Sequence, residues 1–148
     1  MKTIILLFLI VTSSAYAQTI DYNLKKGYMA NGYDVVSYFN NEALEGNKKF
    51  TSKYDGADYK FSSEKNLTLF TENPEKYVPQ YGGYCAYAIA EKADKVSINP
   101  KTFQIKDGKL NLFYNAWGTN TLELWQKGNE DILQNKADEN WEKIKFKN

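Results

Sequence analysis

Two Asp-Gly dipeptides constrain the fold of this chain most, because each lies between two runs rich in β-forming residues. Asp-Gly favours the tight turn that joins antiparallel strands in a β-hairpin. We therefore predict one hairpin with strands at 48–54 and 57–61, and a second hairpin over 102–114. Two further short β-rich runs, at 34–39 and 96–98, are expected to be strands.

A helix is expected between the two hairpins, over residues 62–77. Ser62 or Ser63 is suited to cap its first N–H groups, and Glu64 is favourable in its first turn. Pro74 should interrupt it, because the residue before a proline avoids the α region. The segment is therefore predicted to be a central helix followed by one short turn.

Two more helices are expected at the C-terminal end of the chain. The first begins near Asn115 or Asn120 and ends at Gly128, and the second begins after Asn129. No internal repeat or linker separates the elements. The order of hairpins and helices predicts the fold class α+β: a small single domain with β-hairpins, a central helix and two C-terminal helices.

Three tryptophans fall in the C-terminal part of the chain, at Trp117, Trp125 and Trp141. Large aromatic rings contribute strongly to the packing of a core. We expect these side chains to hold the last two helices against the sheets. The alternative is that some of them form an interface for a membrane or a partner protein.

The N-terminus has the three parts of a secretory signal peptide. Lys2 supplies the positive charge, residues 4–11 form an apolar run, and Ala15-Tyr16-Ala17 is a small-x-small cleavage site. The apolar run is shorter than the roughly 20 residues that a membrane-spanning helix needs. We expect an exported protein, periplasmic or secreted, without a transmembrane segment in the mature chain. The expected divisions are a signal peptide at 1–17, a loose N-terminal lead-in at 18–31 and a domain with a C-terminal helical extension at 32–148.

The charged and reactive residues argue against two classes of function. The chain has 19 Lys, no Arg and 18 acidic residues, and loss of Lys2 would leave it neutral. It therefore lacks the cationic footprint of a nucleic-acid-binding protein. Histidine is absent, which removes the commonest general base and excludes any Ser-His or Cys-His pair. We expect no nucleic acid partner and no catalysis.

Cys85 is the single cysteine, so it has no partner for an internal disulfide. It follows Gly82-Gly83 and lies among Tyr81, Tyr84 and Tyr87. Three aromatic rings around a thiol are suited to line a small-ligand pocket, and the thiol itself is suited to bind a soft metal. The other interpretation is that Cys85 is an inert, buried core residue.

Residues 32–78 resemble the YHS domain family. The likeness lies in Phe61-Ser62-Ser63-Glu64-Lys65-Asn66, followed by Phe70, Pro74 and Tyr77 at the family's spacing. Asp34-Val35-Val36-Ser37 looks like the family's Asp-Pro-Val-Cys opening. An exported branch of the family continues in the same way through residues 81–87 to the second hairpin and Trp141.

The resemblance implies a small metal-binding or metal-associated module of the kind found with copper-transporting pumps. That role depends on three cysteines, and this chain has Ser37, Ser62 and Asn66 at their positions. Neutral hydroxyl and amide oxygens hold soft metals poorly, so the family's metal site is expected to be lost. The expected function is an exported, non-enzymatic domain that binds a small ligand or a soft metal at the Cys85 loop, and the resemblance suggests copper as that metal. The alternative is a protein-interaction module that has lost the family's metal site.

Overall fold

The computed structural model describes residues 18–147, so the expected signal peptide lies outside the described residues. The strands within that range pair only as antiparallel two-stranded sheets, β1 with β2, β3 with β4 and β5 with β6. Together with the helices they confirm the α+β class. In chain order the elements are β1 Asn47–Tyr54, β2 Ala57–Phe61, α1 Glu64–Glu72, α2 Pro74–Tyr77, α3 Ala86–Lys92, β3 Asn99–Lys106, β4 Lys109–Phe113, β5 Asn115–Ala116, β6 Thr119–Asn120, α4 Thr121–Lys127 and α5 Glu130–Ile144.

Both predicted hairpins form around their Asp-Gly dipeptides. Tyr54 pairs with Ala57 in the first, and Lys106 pairs with Lys109 in the second. Both residues of each dipeptide have positive φ, which is the condition for the type I′ turn. The turn chemistry therefore fixes the register of both hairpins.

The predicted helix starts also hold. The Ser63 side chain caps α1 by accepting a hydrogen bond from the Asn66 backbone N–H at 3.2 Å, and Pro74 begins α2 as a separate turn. Asn120 and Asn129 cap α4 and α5 in the same way. The choice left open at the start of α4 is thus settled at Asn120.

Residues 34–39 do not form the expected strand. The Asp34 carboxyl group instead accepts hydrogen bonds from the backbone N–H groups of Val36 and Ser37, at 2.9 and 3.3 Å. Such local side-chain bonds compete with strand pairing. The chain turns here and enters a short 3₁₀ helix at Ser37–Asn40. The strand expected at 96–98 is also absent, and α3 forms where no helix was predicted.

Residues 18–31 pack on the domain and do not form a loose lead-in. The Asp21 N–H donates to the Lys145 carbonyl at 2.7 Å, and the Asn23 N–H donates to the Gly82 carbonyl at 2.9 Å. Met29 is almost completely buried. The polar composition of this segment concealed these long-range backbone bonds.

The core has two parts, one between the hairpins and α1, the other among α3, α4 and α5. Trp125 is fully buried in the second part and Trp141 packs against it, as expected. Trp117 differs, because it lies in the β5–β6 turn and is 96% exposed. Within residues 18–147, no helix has the length and apolar character that would let it cross a membrane.

Candidate functional site

The three positions that correspond to the family's cysteines converge around one buried carboxyl group, that of Asp34. Asp34 Oδ2 accepts from the Ser62 N–H at 2.8 Å, from Ser62 Oγ at 2.6 Å and from Asn66 Nδ2 at 2.7 Å. Asp34 Oδ1 accepts from the N–H groups of Val36 and Ser37. Ser37 Oγ donates to backbone carbonyls nearby. Ser62 is therefore a partner of Asp34 and not the helix cap.

These residues do not fit a soft metal. Such ions take thiolate or thioether ligands, whereas this cluster offers hydroxyl, amide and carboxyl groups. All five donors around Asp34 are already directed at its two oxygens. The cluster is best described as a buried polar network that joins the 34–37 turn to the start of α1.

Cys85 lies at the N-cap of α3, with its side chain fully buried. Its Sγ is 3.3 Å from Thr121 Oγ1, and its N–H donates to the Val96 carbonyl at 2.9 Å. Within residues 18–147, no group of three or more His, Cys, Asp or Glu side chains is arranged to hold a metal ion. The donor set around Cys85 therefore does not fit copper either, and the geometry favours the core-residue interpretation.

The tyrosines predicted to surround Cys85 are separated by the fold. Tyr87 and Cys85 line a pocket of about 240 Å³ between α3 and α4. Tyr84 packs on Trp141, with 6.4 Å between ring centroids. Tyr81 lines a different and larger cavity. The four predicted residues thus do not form one site, and Gly82 and Gly83, which lie between Tyr81 and Tyr84, both have positive φ.

The larger cavity, which we call the tyrosine cleft, has a volume of about 460 Å³. Its lining comes from the N-terminal segment, the first hairpin, the 78–82 loop and α5. Among its lining residues are six large side chains: Tyr22, Met29, Tyr54, Tyr59, Tyr81 and Trp141. Met29 and Tyr59 are the innermost, with exposures of 1% and 2%.

Two tyrosine–aspartate pairs occupy this cleft. The Tyr22 hydroxyl donates to Asp55 Oδ2 in the turn of the first hairpin. The Tyr81 hydroxyl donates to Asp138 Oδ1 on α5 at 2.8 Å, and it accepts from the Gln134 amide. Burial raises the pKa of both phenols above the ordinary 10.0, and the neighbouring carboxylates raise it further. Both tyrosines are therefore neutral hydrogen-bond donors at physiological pH.

Of the residues in this site, Tyr81 is the one predicted as a site residue from the sequence. Tyr22 and Met29 both fall in the expected lead-in at 18–31, and Asp55 is predicted as a turn residue. Asp138 lies 57 residues from Tyr81 along the chain. The cue in the sequence was the density of tyrosines, which does not reveal which of them meet.

Comparison with known proteins adds one finding. Residues 35–81 match the family model of the YHS domain. No curated protein and no solved structure gives a significant match to the chain. The matched segment contains Ser37, Ser62 and Asn66, and it ends at Tyr81 in the tyrosine cleft. The resemblance to the YHS domain family is thus confirmed for residues 35–81.

Proposed function

We propose that this protein is an exported, non-enzymatic domain that binds a small organic molecule in the tyrosine cleft. The observation that carries the proposal is the cleft itself. Ligand pockets have volumes of roughly 300–1,000 Å³, with mostly apolar and aromatic linings and a few placed polar groups. The cleft has about 460 Å³, six large lining side chains and two tyrosine–aspartate pairs.

The tyrosine cleft is a better candidate than the pocket beside Cys85. The Cys85 pocket is about half as large, and the thiol is hydrogen-bonded to Thr121 and buried. Only the Tyr81 end of the glycine-rich loop reaches the larger cleft. We therefore assign the small ligand expected at this loop to the Tyr81 end and not to Cys85.

A binding role without catalysis is favoured by the chemistry of the lining. The chain has no His, and the Tyr22 and Tyr81 phenols are held neutral by burial and by their carboxylate partners. The lone pairs that remain on these hydroxyl and carboxylate oxygens can accept hydrogen bonds from a ligand and so orient it.

Ligand binding is tested by titrating ¹⁵N-labelled protein (residues 18–148) with three probes that share a phenyl ring. These are 2-phenylethylamine, 2-phenylethanol and phenylacetate. At least one probe should cause saturable shifts at the backbone amides of Asp55, Gly82 and Asp138, with little change at Cys85 and Thr121. Failure of all three to produce saturable shifts there would overturn the proposal, and shifts centred on Cys85 would move the site to the smaller pocket.

Export is tested on the chain as the cell makes it. Intact-mass analysis of protein recovered from the periplasm and from the medium should give a chain that begins at Gln18, because Ala15-Tyr16-Ala17 is the expected cleavage site. An unprocessed chain confined to the cytoplasm would contradict export.

A protein-interaction role is the second candidate, and one observation favours it. Trp117 is 96% exposed at the β5–β6 turn, although Trp is a residue type enriched at protein interfaces. A photo-crosslinking residue at position 117 should then give a discrete adduct in the exporting cell. The same residue at the exposed Glu72 position should not. Equal labelling at both positions would count against this second role.

A further inference from the structure

We infer that the ligand of the tyrosine cleft is an organic cation: an ammonium group carried on an apolar or aromatic body. This inference rests on the proposed function, since it names the chemical class that the same cleft would take. It is drawn from the charges, rings and volume of the cleft.

Asp55 and Asp138 bring uncompensated negative charge to the cleft. Within residues 18–147, neither carboxylate has a lysine nitrogen within 4.0 Å. Glu142 also lines the cleft, but it is paired with Lys145 at 2.5 Å. Lys109 is the single lining ammonium group among the described residues. The balance of charge therefore favours a positively charged ligand.

The aromatic lining favours the same class. A cation over the face of a Trp or Tyr ring is attracted by the ring quadrupole, and the attraction is stronger when the site is desolvated. Tyr22, Tyr54, Tyr81 and Trp141 are all partly or largely buried around the cavity. Because Tyr22 and Tyr81 donate their hydroxyl hydrogens to carboxylates, electron density on their rings is increased. The aromatic rings and the carboxylates therefore both attract a cation.

A neighbouring groove differs from the tyrosine cleft in the charge of its lining. This groove has a volume of about 590 Å³ and shares Tyr22 and Asp55 with the cleft. Among the described residues, its lining includes Lys145 and Lys147 and no carboxylate other than Asp55. An anionic molecule should therefore prefer the groove, and a cationic molecule should prefer the tyrosine cleft.

The test ranks the three phenyl probes, which at pH 7 are a cation, a neutral molecule and an anion of similar size. Affinity is taken from saturation of the Gly82 and Asp138 amide shifts. We expect 2-phenylethylamine to bind about tenfold more tightly than 2-phenylethanol, since its ammonium group is attracted by two carboxylates. Phenylacetate should be the weakest at these amides. Added salt should weaken the amine and leave the alcohol nearly unchanged.

A charge-neutral variant locates the effect. Asp55→Asn/Asp138→Asn keeps an oxygen acceptor for each tyrosine, and Asn-Gly is as good a turn former as Asp-Gly. We expect it to remove the preference for the amine, so that the ratio of the amine and alcohol affinities falls to about one. The control is Glu72→Gln/Glu139→Gln, which changes the net charge equally; Glu139 is exposed on α5, next to Asp138, but outside the cleft lining. The control should keep the preference.

The outcomes separate the two proposals. If the alcohol or phenylacetate binds in the cleft as tightly as the amine, the cation inference is overturned and the binding function stands. If the control double variant abolishes the preference as fully as the cleft variant, general surface charge is responsible and the inference is wrong. If none of the probes binds, the binding function fails and the inference fails with it.

Discussion

Asn66 donates its side-chain amide to the buried carboxyl group of Asp34 at 2.7 Å, although 32 positions separate the two residues. The bond joins the start of α1 to the turn that precedes the first hairpin. The hydrogen bond lies where the YHS resemblance implies metal-binding cysteines. Here a hydrogen-bonded carboxyl group holds the two segments together.

This relationship predicts that Asp34 is essential for stability. In Asp34→Ala, five donors lose their acceptor, among them Ser62 Oγ and Asn66 Nδ2. Leaving buried polar groups unsatisfied costs about 1–3 kcal/mol for each group, partly relieved by relaxation and water. We expect the free energy of unfolding, measured with urea, to fall by about 3 kcal/mol or more. Glu72→Ala, an exposed control, should change it by less than about 0.5 kcal/mol; a similar small loss for Asp34→Ala would refute the proposed role.

A second prediction compares two glycines with positive φ. A Cβ at Gly82 would lie 2.8 Å from Trp141 Cη2 and 3.0 Å from the Asp21 carbonyl oxygen, whereas a Cβ at Gly108 would meet nothing within 4 Å. Gly108→Ala should therefore cost only the backbone strain, about 1–2 kcal/mol. Gly82→Ala should cost that strain and the displacement of Trp141, about 2–4 kcal/mol in total.

The measurement for the two glycine variants is urea unfolding combined with the near-UV circular dichroism of the tryptophans. The Trp signal should change in Gly82→Ala and stay unchanged in Gly108→Ala, because Gly82 is the position in contact with an indole ring. Equal losses of stability, with unaltered spectra, would show that the contact between Gly82 and Trp141 is unimportant.

The part of the fold that local chemistry determines was predictable from the sequence. Asp55-Gly56 and Asp107-Gly108 define their hairpins, and Ser63 and Asn129 define helix starts, because each acts on residues within four positions. The role of Asp34 was missed because Val35 and Val36 favour a strand, whereas the Asp34 side chain accepts hydrogen bonds from the backbone N–H groups of Val36 and Ser37. The YHS resemblance identified the segment around Asp34, but it did not predict the hydrogen bonds that the Asp34 carboxyl group accepts.

The cleft was largely beyond sequence analysis for the opposite reason. Tyr81 meets Asp138 across 57 residues, and Tyr22 meets Asp55 across 33, with no periodic signal linking either pair. Trp117 was also predicted incorrectly. Its neighbours in the sequence suggested a helix with a packed tryptophan, whereas it lies exposed in the β5–β6 turn. Side chains from distant segments are brought together by packing, which a local pattern does not encode.

The buried thiol of Cys85 leads to a third prediction, about reactivity. Cys85 is 0% exposed and its Sγ is 3.3 Å from Thr121 Oγ1. A thiol reagent such as 5,5′-dithiobis(2-nitrobenzoate) should react only as fast as the protein opens, and at the full rate of a free thiol in urea. Thr121→Val, which removes the hydroxyl beside the sulfur, should leave native Cys85 protected if burial is the cause. Rapid native labelling of the unaltered protein would show a route to the thiol through the adjoining pocket.

The last prediction concerns alkaline pH and the buried Tyr38 hydroxyl, which donates to the Pro100 carbonyl at 2.6 Å. Burial raises the pKa of Tyr38 above its ordinary 10.0, and Tyr33 and Asp34 add to the rise. Below pH 10 both folded and unfolded chains hold this proton, so its contribution to stability is complete. Above pH 10 the unfolded chain loses the proton while the folded chain keeps it, and stability falls by about 1.4 kcal/mol per pH unit for each such tyrosine.

Between pH 10 and 12 the unfolding free energy of Tyr38→Phe should therefore decline less steeply than that of the unaltered protein, by about that amount per unit. Phe70→Leu, which alters the same core without removing an ionisable group, should decline in parallel with the unaltered protein; a Tyr38→Phe slope equal to theirs would mean that Tyr38 ionises as readily in the folded chain as in the unfolded one.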